Sequence, residues 1–203
     1  MLELSACRAS SARTSTDGFP LLGPLAAACI SQGIRRDTGI VSWLQWPNLV
    51  TIEGRIVAKT SLSVSSPHEP DGKAQIVFKM SVDCFADRPA SLPSGLPTTS
   101  ILDVLGVEID ADLLRDKILH ALGWYYAEWE RGMHRKLVDR MQPTIAWLGH
   151  EVEVRTADAE ILKGRAMGLD DGGSLLLEQR GARGSRKTRV IPPDGVELVR
   201  AVK

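Results

Sequence analysis

The residues best able to do chemistry lie close together: Trp46-Pro47-Asn48, then Gly54-Arg55 after a short apolar run, then Lys59, with Asp83 further on. Guanidinium and ammonium groups beside backbone donors suit the holding of an anion, since fixed positive charge aimed at developing negative charge supplies much of a catalytic effect. Taken alone, Trp46-Pro47-Asn48 also fits a strand-ending turn, with proline fixing φ and asparagine tolerating a left-handed backbone. Asp83 reads equally as a half-buried strand carboxylate held by hydrogen bonds. A second cation group, Arg180, Arg183, Arg186, Lys187 and Arg189, reads as a basic turn between strands. Within it Arg183, Arg186 and Lys187 are candidates for contact with an anion or an acidic partner. No aromatic residues interleave that run, so it is poorly equipped to stack on bases, and charge runs are usually solvated. His68, His120, His134 and His150 lack the spacing of metal ligands, and no metal site is expected.

Alternation and turn residues suggest the elements that must position these groups. Leu2, Leu4 and Ala6 alternate with polar residues as in a strand, followed by a polar loop from Arg8 to Gly18 and an Ala/Leu-rich helix from about Pro20 to Arg36. Gly23 and Pro24 should weaken the first turn of that helix. Strands are expected over Val41–Trp46, Leu49–Ile52, Arg55–Val64 and Ala74–Phe85, the middle two joined tightly through Glu53-Gly54. Proline breaks up Asp87–Pro97. Helical patterning returns at Ser100–Leu105 and from Asp110 to about Met141, with Leu113, Leu114, Ile118, Leu122, Tyr125 and Trp129 on one face. From Glu151 the period becomes strand-like, with turns expected at Gly164, Gly172-Gly173, Gly181 and Gly195, the pattern of a compact SH3-like barrel. Pro143 is the natural boundary, giving domains over 1–143 and 144–203.

With 203 residues, 43% of them hydrophobic, the chain can bury a genuine core. The 25 Lys and Arg balance 25 Asp and Glu, so no global field draws it to nucleic acid or an anionic membrane. The 3 cysteines are odd in number and widely spaced, which argues against a disulfide framework or a zinc site. No apolar run is long enough to span a bilayer, and the start is not a secretory signal, so a cytoplasmic location is expected.

The run Trp46-Pro47-Asn48 followed by Gly54-Arg55-Ile56-Val57-Ala58-Lys59 resembles the biotin protein ligase signature, KWPND and then GRKxAG. Thr99-Ser100-Ile101-Leu102 with Gly106 is similar to that family's TSL segment. Gly164-Arg165-Ala166, Gly168-Leu169-Asp170 and Gly195 through Arg200 are similar to its small C-terminal barrel, so the resemblance covers nearly the whole chain. It implies an α+β fold: a class II synthetase-like catalytic domain, with a mixed sheet and helices, followed by the barrel. It also implies ATP-dependent biotin adenylation and transfer to a carrier-domain lysine, with biotin and MgATP as ligands and a biotin carboxyl carrier domain as partner. Trp46, Pro47, Asn48, Gly54, Arg55, Lys59 and Asp83 are then the remnants of the ligand site.

Measured against that signature, Gln45 stands in place of lysine, Leu49 of aspartate and Ile56 of the lysine expected to stabilise the reacting groups. Lys59 stands in place of a glycine. Because side chains alternate along a strand, Lys59, three positions from Ile56, is expected on the opposite face and so not as its substitute. Lys79-Met80-Ser81-Val82-Asp83 occupies the place of a glycine-rich segment lining the biotin pocket, and the family's GRGR loop is expected to precede the first strand. The reading is therefore a ligase-like protein impaired or inactive alone, with no catalytic residue assigned. Two rivals stand beside it: one half of a split ligase completed by a separate N-terminal chain, and a non-catalytic binding or homodimerising module using an exposed sheet edge.

Overall fold

The structure, a computed structural model, describes residues 1–10, 19–65, 74–85, 96–181 and 185–202. Its first sheet contains β1 (Leu2–Ser10), β2 (Trp43–Gln45), β3 (Leu49–Ile52), β4 (Arg55–Ser65) and β5 (Ala74–Val82), in the order β1-β5-β4-β3-β2. All four pairings are antiparallel, and among the described residues parallel pairing occurs only at the isolated bridges Leu44–Ile145 and Ile56–Thr98. β1 extends through Arg8–Ser10, which had been expected to begin a loop, because it pairs in unbroken register with β5 as far as Ser10 opposite Ala74.

The two faces of this sheet differ. Leu4, Leu44, Val50, Ala58, Thr60, Phe78, Met80 and Val82 form a buried face. It lies under α1 (Phe19–Thr38) and α3 (Ala111–Glu130), with the Phe78 ring edge-on to Tyr126 at 6.2 Å. The opposite face carries Glu3, Ser5, Lys59, Ser61, Lys79 and Ser81, none of them buried. Gly23 and Pro24 lie within α1 without ending it, since that helix is buried along most of its length and packing outweighs local propensity. α1 and α3 approach closely at Gly33, where a Cβ would lie 2.5 Å from Ile118 Cγ1.

The short α2 (Ile101–Leu105) is fixed by a capping box. Asp103 N–H donates to Ser100 Oγ at 2.9 Å, and Ser100 N–H donates to the Asp103 carboxylate at 3.0 Å. The single helix expected from Asp110 to Met141 is in fact two. α3 ends at Glu130, Gly132 takes φ +74°, and α4 (His134–Met141) starts in a new direction. A left-handed backbone suits glycine and cannot continue a right-handed helix.

The second sheet contains β6 (Glu151–Thr156), β7 (Ile161–Leu169), β8 (Leu175–Arg180), β9 (Arg186–Ile191) and β10 (Val196–Ala201), in the order β10-β6-β7-β8-β9. β9 and β10 do not pair, so the SH3-like sheet is open rather than closed. Gly164 is not a turn residue: it lies inside β7, where a Cβ would come within 2.5 Å of the Glu178 carbonyl oxygen on β8. Arg186, Lys187 and Arg189 likewise belong to edge strand β9 rather than to a basic turn. Among the described residues no helix is long and apolar enough to cross a membrane.

The two sheets share one buried core. Trp46, only 1% exposed, donates its indole Nε1–H to the Gly173 carbonyl at 3.0 Å. Gln45 donates its side-chain amide to the Val199 carbonyl of β10. Gly173, at φ +83°, sits directly over Leu21 of α1, where a Cβ would be 2.9 Å from the Leu21 Cα.

Candidate functional site

The open face of the first sheet is built by register. One row crosses all five strands, with Gln45 opposite Leu49, Leu49 opposite Lys59, Lys59 opposite Ser81 and Ser81 opposite Glu3. The next row contains Ser61, Lys79 and Ser5. On adjacent strands such residues stand about 5 Å apart, or 7–8 Å on the diagonal. The face thus offers two exposed ammonium groups, one carboxylate and three hydroxyls, and neither Lys59 nor Lys79 has an ion-pair partner among the described residues.

Lys59 does not lie where uninterrupted alternation would put it. The β3–β4 register shifts between Val50 and Thr51: Val50 is opposite Ala58, whereas Thr51 is opposite Ile56. β4 therefore carries one extra residue, Val57, in a β-bulge, which resets the alternation. Leu49 and Thr51, two apart on β3, share a face, so their partners Lys59 and Ile56 share it too. The expectation that Lys59 points away from Ile56 is overturned.

Ile56 is 3% exposed, and the segment before α2 runs beside its backbone as a parallel bridge, Ile56 donating its N–H to the Pro97 carbonyl and accepting from Thr99 N–H, both at 2.8 Å. The Thr99 hydroxyl beside it is buried without a hydrogen-bond partner among the described residues. Asp83 N–H donates to the Val57 carbonyl at 2.9 Å, while the Asp83 carbonyl receives the first N–H of α2, from Ile101, at 2.9 Å. Asp83 thus ties the bulge to α2. In neighbouring Cys84, burial pushes the thiol above its ordinary range, so it stays protonated at neutral pH and is a poor nucleophile.

The other sequence candidates separate. Trp46 is buried against the second sheet. Pro47 and Asn48 line an apolar cleft of about 490 Å³ together with Phe19 and Pro24 of α1, Ser61 and Leu62 of β4, and Pro193 and Asp194 from the turn before β10. Asn48 is exposed, and its carbonyl accepts from Thr60 N–H at 2.8 Å. Gly54, at φ +75°, and Glu53, at φ +51°, form the two-residue turn of the β3–β4 hairpin, a type that needs positive φ at both positions. Arg55 pairs there with Glu53 at 3.3 Å. This turn lies at the far end of β3 from Asn48, about 17 Å away at 3.4 Å per residue. Gly54 and Arg55 therefore shape the hairpin rather than meet Asn48. Lys59, opposite Leu49, and Ser61 beyond it face the open side at the Asn48 end, with Ser61 also in the cleft wall.

In the second sheet, Arg186 pairs with Glu178 at 3.5 Å, Arg189 makes a two-point contact with Glu160 at 3.0 and 2.8 Å, and Lys187 is exposed. Arg183 lies outside the described residues. Among the described residues no group of three His, Cys, Asp or Glu could hold a metal ion, and Leu49 offers no oxygen ligand where an acidic residue was expected. The described residues there do not make a protein-held magnesium site. The arrangement can hold and orient an anion on the open face, while the apolar cleft lies toward α1 at the end of the same strands. Capping and register could be read locally, but the bulge at Val57 carried no sequence signal and hid the alignment of Lys59 with Ile56.

An α+β chain with helices on one face of an antiparallel sheet, the other face open, and a small β-domain docked at its edge has the fold of the biotin protein ligases. It matches the Aquifex aeolicus biotin protein ligase with a TM-score of 0.76 at 16% identity, covering 98% of this chain and 82% of that one. It matches a biotin protein ligase-like protein of unknown function from a Silicibacter species with a TM-score of 0.70 at 15% identity, covering 95% and 79%. The Aquifex enzyme has been seen in complex with biotin and ATP. In sequence the chain is 26% identical over 161 residues to the bifunctional ligase/repressor BirA of Bacillus subtilis, covering 78% of this chain. It spans about half the length of that curated relative, 48%. No protein-family model matches the chain. Fold and sequence are thus both similar to those of the biotin protein ligases, the resemblance that the WPN and GR motifs suggested.

Proposed function

We propose that this chain is a biotin ligase-like protein that binds biotin, or its adenylate, on the open face of the first sheet and in the adjoining cleft, and that it turns over little on its own. The observation that carries this reading is the state of the three positions where the family has charged groups. Gln45 is engaged with the Val199 carbonyl, Leu49 is aliphatic, and Ile56 is a buried aliphatic residue. Loss of one preorganised charge-stabilising group costs about a hundred- to a thousandfold in rate, so several coupled losses leave slow adenylation. Binding is less affected, because the apolar cleft and the exposed ammonium groups remain. The carrier partner, if acted on, is a biotin carboxyl carrier domain, and 1–143 and 144–203 act as ligand-holding and docking portions.

A second reading, a non-catalytic binding module, is favoured by the use of Gln45 and Trp46 to fasten the second sheet rather than to face a ligand. Intact-mass measurement of a biotin carboxyl carrier domain incubated with this protein, biotin and MgATP tests both. The expected result is little or no biotin-sized gain beside a ligase control that goes to completion. Full labelling at the control's rate would refute the impairment.

A further inference from the structure

We infer that Lys59 holds the anionic part of the ligand in place of the lysine that Ile56 does not supply, with Lys79 flanking the same spot; this rests on the ligand reading above. The bulge at Val57 carries the argument. Pairing with Ser81 of β5 fixes Lys59 on the open face, and without the bulge Ile56 would stand on the other, helix-covered face. With it, Lys59 stands on the open face, opposite Leu49 and one same-face step, about 7 Å, along the sheet from the Thr51–Ile56 pair. A flexible four-carbon stem lets its ammonium group reach along the open face toward the Thr51–Ile56 pair. Lys79 is the diagonal neighbour on β5, since Lys59 pairs with Ser81 and Ser61 with Lys79. Two like charges set side by side repel unless something negative lies between them. Glu3 occupies the same row but is separated from Lys59 by β5, and no ion pair joins it to either lysine among the described residues.

The ligand chemistry that fits is a carboxylate or phosphate oxygen carried on an apolar or aromatic body. The charged group would lie between the two ammonium groups on the open face, with the body along Ser61 and Ser81. Lys59 forms no covalent bond in this role: it binds and orients the ligand.

The test is titration calorimetry with biotin and with a non-hydrolysable sulfamate analogue of biotinyl-adenylate. It uses the full chain and its Lys59→Ala, Lys59→Arg and Lys59→Ala/Ile56→Lys variants at two salt concentrations. Lys59→Ala should weaken binding about tenfold to a hundredfold, the usual worth of a charge-assisted contact, and flatten the salt dependence. Lys59→Arg should retain most of the affinity, and returning a lysine at position 56 should restore part of it. Lys59 is exposed, so its replacement should leave the thermal midpoint unchanged. Should the Ile56→Lys variant not fold, the salt dependence of the single variants still decides. Affinity equal to or tighter than the parent's in Lys59→Ala would overturn the inference, the tighter result meaning that the side chain blocks the face. A parent chain that binds neither probe sinks the ligand reading instead, and that is seen before any variant is made.

Discussion

The seating of the second sheet on α1 can be tested at one atom. Gly173 takes φ +83°, and a Cβ there would lie 2.9 Å from the Leu21 Cα and 3.1 Å from its Cδ1. Alanine in a left-handed conformation costs about 1–2 kcal/mol, and forcing a methyl group against backbone adds about 1–3 kcal/mol. Gly106 separates the two effects: it takes φ +72°, but a Cβ there meets nothing within 4 Å. Gly106→Ala should therefore pay only the backbone cost, and Gly173→Ala that cost plus the contact. At this chain length 1 kcal/mol shifts a melting midpoint by about 2–4 °C, so Gly173→Ala should melt roughly 2–12 °C below Gly106→Ala in a calorimetric scan. The Trp46 indole, bonded to the carbonyl of Gly173, should report the same event by fluorescence. Equal melting of the two variants would mean that the methyl group meets no obstacle, and the described seating of the second sheet on α1 would be refuted.

Two further outcomes follow from local geometry. Ser100→Ala removes the reciprocal cap of α2 and should cost about 1 kcal/mol in a urea titration; no change would show that the Asp103 bond at 2.9 Å does not stabilise the fold. Burial pushes the Cys29 thiol far above its ordinary range. Its neutral form is then the one present at pH 8, and the thiolate required for alkylation is scarce. Maleimide labelling at Cys29, read by peptide mass, should be negligible in the native protein at pH 8 and complete in denaturant; rapid native labelling would contradict its burial.

Much of the architecture follows from period and punctuation. Alternating apolar residues set the buried face of β5, Glu53-Gly54 set a two-residue turn, and Ser100 with Asp103 set the start of α2, because each signal acts within a few residues. The departures are long-range. Gly164 looks like a turn until the Glu178 carbonyl on β8 is seen to require its missing side chain. The face that Lys59 occupies depends on a register between β3 and β4 in which an extra residue is accommodated, a property of the pairing and not of either strand. Gln45 and Leu49 could be recognised as departures from the ligase pattern, but the binding of Gln45 to Val199, more than 150 positions away, could not.

The Trp46-Pro47-Asn48 turn joins two parts of the molecule mechanically. Its indole is fastened to the second sheet, and its next two residues form part of the cleft wall, which Pro193 and Asp194 complete from the other side. A ligand that fits the cleft better when the second sheet is seated must strengthen that seating by the same factor, since coupling between two equilibria is reciprocal. Affinity in the cleft and retention of the C-terminal sheet are thus linked quantities, so a substitution that loosens the second sheet would lower affinity without touching the ligand.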